Sequence, residues 1–129
     1  MTLPAALSES KLVGFLPSLD LGRSGVFFEQ TLGLQIIEES PFAIVFDAAG
    51  TMLRLTLVQA FEPQPFTVLG WQVASIEESV RSLSLRGVEF LRYPGMNDKH
   101  PLAIWTAPTG AQIAWFKDPD GNVLSLTQF

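Results

Sequence analysis

The stretch Trp115-Phe116-Lys117-Asp118-Pro119-Asp120-Gly121-Asn122-Val123-Leu124-Ser125-Leu126 decides the fold. Ala111 to Phe116 is rich in apolar and aromatic residues, which favour a pleated, half-buried surface. Asp118 to Asn122 combines a fixed-φ proline, a glycine free to take positive φ and side chains that bond their own backbone, so it turns the chain. Val123 to Thr127 returns as a second strand, and the whole reads as a β-hairpin. Ser125 is the one polar residue between Leu124 and Leu126.

Working outward, the chain falls into two halves with the same order of signals. In the first, Leu12 to Ser18 predicts a strand, and Asp20 caps a helix running to Thr31 and stopped at Gly33. Its apolar stripe is read as Val26, Phe27 and Leu32. Gln35 to Glu39, Phe42 to Phe46 and Met52 to Val58 follow as strands. In the second half, Thr67 to Ala74 predicts a strand, and Ser75 with Glu78 forms a capping box for a helix over Ile76 to Arg86. Ile76, Val80, Leu83 and Leu85 are assigned to its buried face, and Gly87 ends it. Val88 to Leu91, Ala111 to Phe116 and Val123 to Thr127 complete the unit.

The halves correspond residue against residue. Leu53-Arg54-Leu55-Thr56 matches Leu124-Ser125-Leu126-Thr127, and Val13 matches Val68. The first strands are about 55 residues apart and the last about 71, so the second unit carries roughly 16 extra residues, placed at Arg92 to Pro108. That insertion is read as a candidate lid. The modules span 11–60 and 66–129 of a single domain, joined through Pro63 and Pro65.

A chain of 129 residues with 47% hydrophobic and 16% charged residues is globular and long enough to bury a core. A net charge of −5 with eight scattered Lys and Arg excludes a phosphate-neutralising nucleic-acid surface and a polybasic membrane contact. Without cysteine there are no disulfides, thiolate metal sites or Cys nucleophile. No apolar run reaches a membrane span, and Met1 to Ser10 lacks the basic start and long apolar stretch of a leader. A cytoplasmic location is expected.

The final hairpin resembles that of the vicinal oxygen chelate superfamily, the glyoxalase, bleomycin-resistance and extradiol-dioxygenase group. Asp20-Leu21-Gly22-Arg23-Ser24-Gly25-Val26-Phe27-Phe28-Glu29-Gln30-Thr31-Leu32-Gly33-Leu34 is similar to that superfamily's first helix. The resemblance implies an α+β fold in which two βαβββ modules form an open, concave mixed β-barrel, paired within one chain or across a homodimer. It also implies four metal-ligand positions, one on the first and one on the last strand of each unit. They hold Val13, Arg54, Val68 and Ser125 here. Two valines offer no lone pair and a guanidinium repels a cation, so no metal and no cofactor are expected.

Strand alternation, with the resemblance, assigns a ligand pocket to Val13, Phe15, Arg54, Val68, Gln72, Val123, Ser125 and Thr127, with Trp105 closing from the insertion. Trp71 is read as core beneath the helices, and Trp105 and Tyr93 in the insertion have two readings, closing over a ligand or packing a dimer interface. Arg54 has two readings, a bidentate anion handle or an internal salt bridge to a Glu or Asp. His100, the only histidine, sits with Asp98 and Lys99 at what reads as a solvated loop tip. Asp118, Asp120 and Asn122 imitate the opening of a calcium loop, but the later bidentate Glu is missing. The leading function is metal-independent sequestration of a small organic molecule, anionic or aromatic, by a homodimer. A lyase, isomerase or dioxygenase with unusual or no metal ligands is the second reading, with no catalytic residue assigned. A regulatory or interaction module is the third.

Overall fold

The computed structural model describes residues 2–3 and 6–129. Met1, Pro4 and Ala5, part of the stretch read for a leader, lie outside the described residues. The chain divides into two compact units, Met1–Phe61 and Glu62–Phe129.

The first unit runs β1 (Val13–Ser18), α1 (Leu21–Val26), a π-helical turn (Phe27–Thr31), β2 (Gln35–Glu39), β3 (Ala43–Ala48) and β4 (Thr51–Leu57). Its sheet has the order β1-β4-β3-β2, with β1 parallel to β4 and the other pairs antiparallel. Asp20 caps α1 as predicted, its Oδ1 accepting from Arg23 N at 3.1 Å. The predicted stripe is corrected. Val26 is exposed, and the residues turned inward are Ser24, Gly25 and Phe28. The cause is twofold. The π turn, with Leu32 N bonded to Phe27 O, changes the angular spacing after Val26. Gly25 also lets the helix sit directly on β3, because a Cβ there would lie 2.6 Å from Ile44 Cδ1. Phe28 then packs its ring 5.8 Å from that of Phe46, and Leu16, Leu53 and Leu55 are buried in the same unit's core.

The second unit runs β5 (Thr67–Gln72), α2 (Ile76–Leu85), β6 (Trp105–Thr106), β7 (Gln112–Lys117) and β8 (Val123–Gln128), in the sheet order β5-β8-β7-β6. Ser75 Oγ accepts from Glu78 N at 3.4 Å, and Ile76 N–H is met by Gln128 Oε1 at 2.8 Å. Gly87 takes φ +95° in a Schellman ending, with Gly87 N bonded to Ser84 O and Val88 N to Leu83 O. Ile76 and Val80 are buried, but Leu85 is 90% exposed and is no part of the helix's inner face. Together with Ala114, Phe116, Leu124 and Leu126, the inner residues form this unit's core.

The repeat is written in the strand register. Gly14, Phe15 and Leu16 pair with Leu53, Arg54 and Leu55, and Leu69, Gly70 and Trp71 pair in the same sequence with Leu124, Ser125 and Leu126. Phe46 and Phe116 hold equivalent places, opposite Leu53 and Leu124. The units differ at their outer edge. The expected strand over Val88 to Leu91 is only a single bridge, Phe90 to Phe116, with Leu91 N donating to Trp115 O. The chain then leaves the sheet and returns as β6, so the region read as an insertion supplies half of the edge strand itself.

Candidate functional site

In each unit α1 or α2 covers one sheet face, and the residues on the opposite face carry the polar and exposed aromatic groups. On the first unit's open face, register aligns Phe15, Arg54, Val45 and Glu38 in one cross-strand row. Phe15 is 64% exposed, Val13 and Met52 lie side by side next to it, and Arg54 is half-buried. Among the described residues no carboxylate lies within 4.0 Å of the Arg54 guanidinium. The geometry explains why. Glu38 is two strands away with Val45 between, and Asp47 turns its Oδ1 onto Gly50 N at 2.9 Å to close the β3–β4 turn. The internal salt bridge considered for Arg54 does not form.

On the second unit's open face the row is Gly70, Ser125 and Trp115, followed by Gln72, Thr127, Ile113 and Trp105. Gln72, Ser125, Thr127 and Trp105 therefore share one face, while Trp71 aligns with buried Leu126 on the other. Val68 sits at a bulge, since Thr67 pairs with Val123 and Leu69 with Leu124. Gly70 is small of necessity, because a Cβ there would run into Ser125 Oγ. Trp115 is the centre of an aromatic cluster. Tyr93 meets it edge to face at 5.4 Å, Trp105 lies 6.0 Å away, and its Nε1 donates to Thr67 Oγ1 at 3.1 Å. A cavity of about 290 Å³ opens here, with Thr67, Trp115 and Val123 on the sheet side, Pro65 and Phe66 from the link, and Tyr93 and Met96 as the wall.

Of the nine assigned pocket residues, Val13, Phe15 and Arg54 thus fall on the first unit's face and the other six on the second unit, where Val123 alone lines this cavity. Trp115 and Thr67 were not among them. The central residues of β7, Ile113 and Trp115 on one face and Ala114 and Phe116 on the other, are all apolar, so alternation gave no contrast, although the pairing of Trp115 with Ser125 in the hairpin would have placed it.

The wall is no loose loop tip. Asn97 is 1% exposed; its Oδ1 accepts from Tyr93 N at 2.7 Å, and its Nδ2 donates to Leu91 O at 2.9 Å and Ala103 O at 2.6 Å. The Arg92 guanidinium donates to the carbonyls of Asn97, Asp98, His100 and Pro101. His100 Nδ1 accepts from Leu102 N at 3.0 Å and Ile104 N at 3.3 Å. His100 is a structural acceptor, which removes it as half of a metal site with Asp98.

At the hairpin turn, Asp118 accepts from Asp120 N and Asn122 N at 2.9 Å each and from Asn122 Nδ2 at 2.8 Å. Burial raises its pKa above the ordinary carboxylate value, opposed by the hydrogen bonds from Asn122. Its oxygens are turned onto its own turn, in keeping with the backbone-holding reading of this motif. The four positions that the resemblance assigns to metal ligands carry no carboxylate or imidazole. Arg54 and Ser125 occupy equivalent places in their sheets, Val13 and Val68 have no donor atom, and among the described residues no three His, Cys, Asp or Glu side chains gather.

Two four-stranded mixed sheets, each backed by a helix and repeating one βαβββ plan, define the class of protein. The family model described as Glyoxalase/Bleomycin resistance protein/Dioxygenase superfamily matches residues 15–126, and the chain belongs to that superfamily. Solved structures share the fold. A lactoylglutathione lyase from Agrobacterium tumefaciens is similar at TM-score 0.71 and 17% identity, covering 95% of this chain and 96% of that one. A glyoxalase/bleomycin resistance protein/dioxygenase from Nocardioides has TM-score 0.73 and 19% identity, covering 97% and 86%. A bleomycin resistance determinant encoded on the transposon Tn5 has TM-score 0.71 and 22% identity, covering 92% and 97%. No curated protein matches in sequence. Among the described residues no helix is long and apolar enough to cross a membrane.

Proposed function

We propose that this protein binds a small organic molecule without a metal and holds it chemically unchanged. The observation that carries the reading is Arg54, a half-buried residue whose guanidinium has no carboxylate within 4.0 Å among the described residues, beside the exposed ring of Phe15 and next to Val13, Met52 and Val45. Such a group gains most from a carboxylate or phosphate that it grips bidentately while the apolar neighbours exclude water. It stands where the superfamily's metal chemistry would need a ligand, so anion capture replaces metal coordination at that position. The second unit offers aromatic surface instead, and a flat ring is the ligand chemistry proposed there. Assembly as a homodimer and a cytoplasmic location belong to the same proposal, the dimer testable by sedimentation equilibrium.

The binding test is calorimetric titration with benzoate and 1-naphthoate, and with their neutral amides. Saturable carboxylate binding, weakened roughly 10- to 150-fold by Arg54→Ala with the melting temperature unchanged, is expected for a lost charge-assisted contact of about 1.5–3 kcal/mol. Amides that bind as tightly as carboxylates would remove Arg54 from the site.

A further inference from the structure

The segment that walls the second unit's cavity is fastened at its far end by a titratable side chain. An imidazole nitrogen that accepts a hydrogen bond carries no proton. His100 Nδ1 accepts two, from Leu102 N and Ile104 N, and Ile104 is 3% exposed, so its amide has little access to a substitute from solvent. A proton on Nδ1 therefore breaks both bonds at once. It also adds a positive charge next to Arg92, whose guanidinium donates to His100 O at 2.7 Å.

Among the described residues no carboxylate lies within 4.0 Å of the His100 ring. Asp98 and Lys99 are the charged neighbours in the chain. Behind the segment lies a cleft of about 500 Å³, where Arg92 and Pro101 face Glu89, and α2 contributes only Val80 and Ser84, which do not titrate. The same segment carries Tyr93 and Met96, the cavity wall.

We infer that His100 is an acid-operated latch, in which protonation at Nδ1 frees the Leu102 and Ile104 amides and loosens the far end of the segment that carries the cavity wall. The latch stands on the hydrogen-bond geometry alone; its effect on a ligand rests on the binding reading above.

The test is amide hydrogen exchange by NMR across the acid titration of the His100 ring, followed by the ring's own signals. Protection at Leu102 and Ile104, corrected for intrinsic exchange, should fall at least about tenfold with the ring's midpoint, as expected for two lost hydrogen bonds. Leu55 and Leu124 should stay protected. In His100→Asn, which has no titrating group at that position, the pH dependence should vanish. Flat protection at both amides while the ring titrates would overturn the latch, as would a simultaneous loss at Leu55, which would mean global acid unfolding. Binding of 2-naphthol, neutral throughout this range, should weaken with the same midpoint. If 2-naphthol binds at no pH while the exchange result holds, the binding reading fails and the latch stands.

Discussion

Replacing Asn97 with alanine removes the side chain on which the cavity wall closes. Three hydrogen bonds go, one accepted from Tyr93 N and two donated to Leu91 O and Ala103 O. At about 1 kcal/mol net each they amount to about 3 kcal/mol. Asn97 and Ala103 are each 1% exposed, so water does not readily replace the lost partners. The expected loss is therefore about 3–5 kcal/mol, a large part of the stability of a small domain. Urea unfolding followed by tryptophan fluorescence reads it directly, since Trp71, Trp105 and Trp115 all lie in the second unit. Asn97→Asp is the companion. It keeps the acceptor for Tyr93 N but sets a carboxylate oxygen against two carbonyls, so at neutral pH it should destabilise at least as much and recover in part on acidification. A loss below about 1 kcal/mol in Asn97→Ala would show that the backbone groups find other partners, and would refute the account of Asn97 as the hub of the wall.

Four further outcomes are expected. Gly121 holds φ +90° with Pro63 Cγ 2.9 Å from where a Cβ would stand, so Gly121→Ala should cost about 1–3 kcal/mol in a denaturant melt. Gly70→Ala should destabilise by about 1–3 kcal/mol by driving its methyl into Ser125 Oγ, and Ser125→Gly should restore most of it in the double variant, a coupling read from a mutant cycle. Asp118 has a folded pKa raised by burial, so its contribution to stability is present below the unfolded value and lost as pH rises through the folded one. Comparing Asp118→Asn with the parent by urea unfolding from pH 3 to 7 should remove that part of the decline. Elemental mass spectrometry after incubation with iron, manganese, nickel or zinc should find no stoichiometric metal, and EDTA should leave carboxylate binding unchanged.

What the sequence made legible was local chemistry. Asp20, Ser75, Gly87 and the Asp118 turn each act through their own backbone neighbours, so residue type alone located them. The repeat was visible because Leu53 to Thr56 and Leu124 to Thr127 keep the same spacing that their strands keep in register. What depended on distant partners was not legible. Val26 looked like core because the helix was read at a uniform period, which the π turn does not follow. Val88 to Leu91 had strand composition, but its outer edge is shared with Trp105 and Thr106, brought back by hydrogen bonds among Arg92, Asn97 and His100 that no periodicity announces. Arg54 was placed on the correct strand and left between two readings, and only the positions of Glu38 and Asp47 show that the internal salt bridge does not form.

The interrupted edge bears on the protein's behaviour in concentrated solution. A long, flat outer strand is a template on which further chains add by backbone pairing. In the first sheet β2 denies that template through a bulge at Ile37 and the successive charges of Glu38 and Glu39. In the second sheet the outer row is split between Phe90 and Trp105–Thr106, neither long enough to seat an incoming strand. Along these two edges the fold guards against fibril growth by opposite devices, charge in one sheet and brevity in the other. Loosening the segment between Leu91 and Ile104 would expose the flank of β7, and with it a template that this edge otherwise withholds.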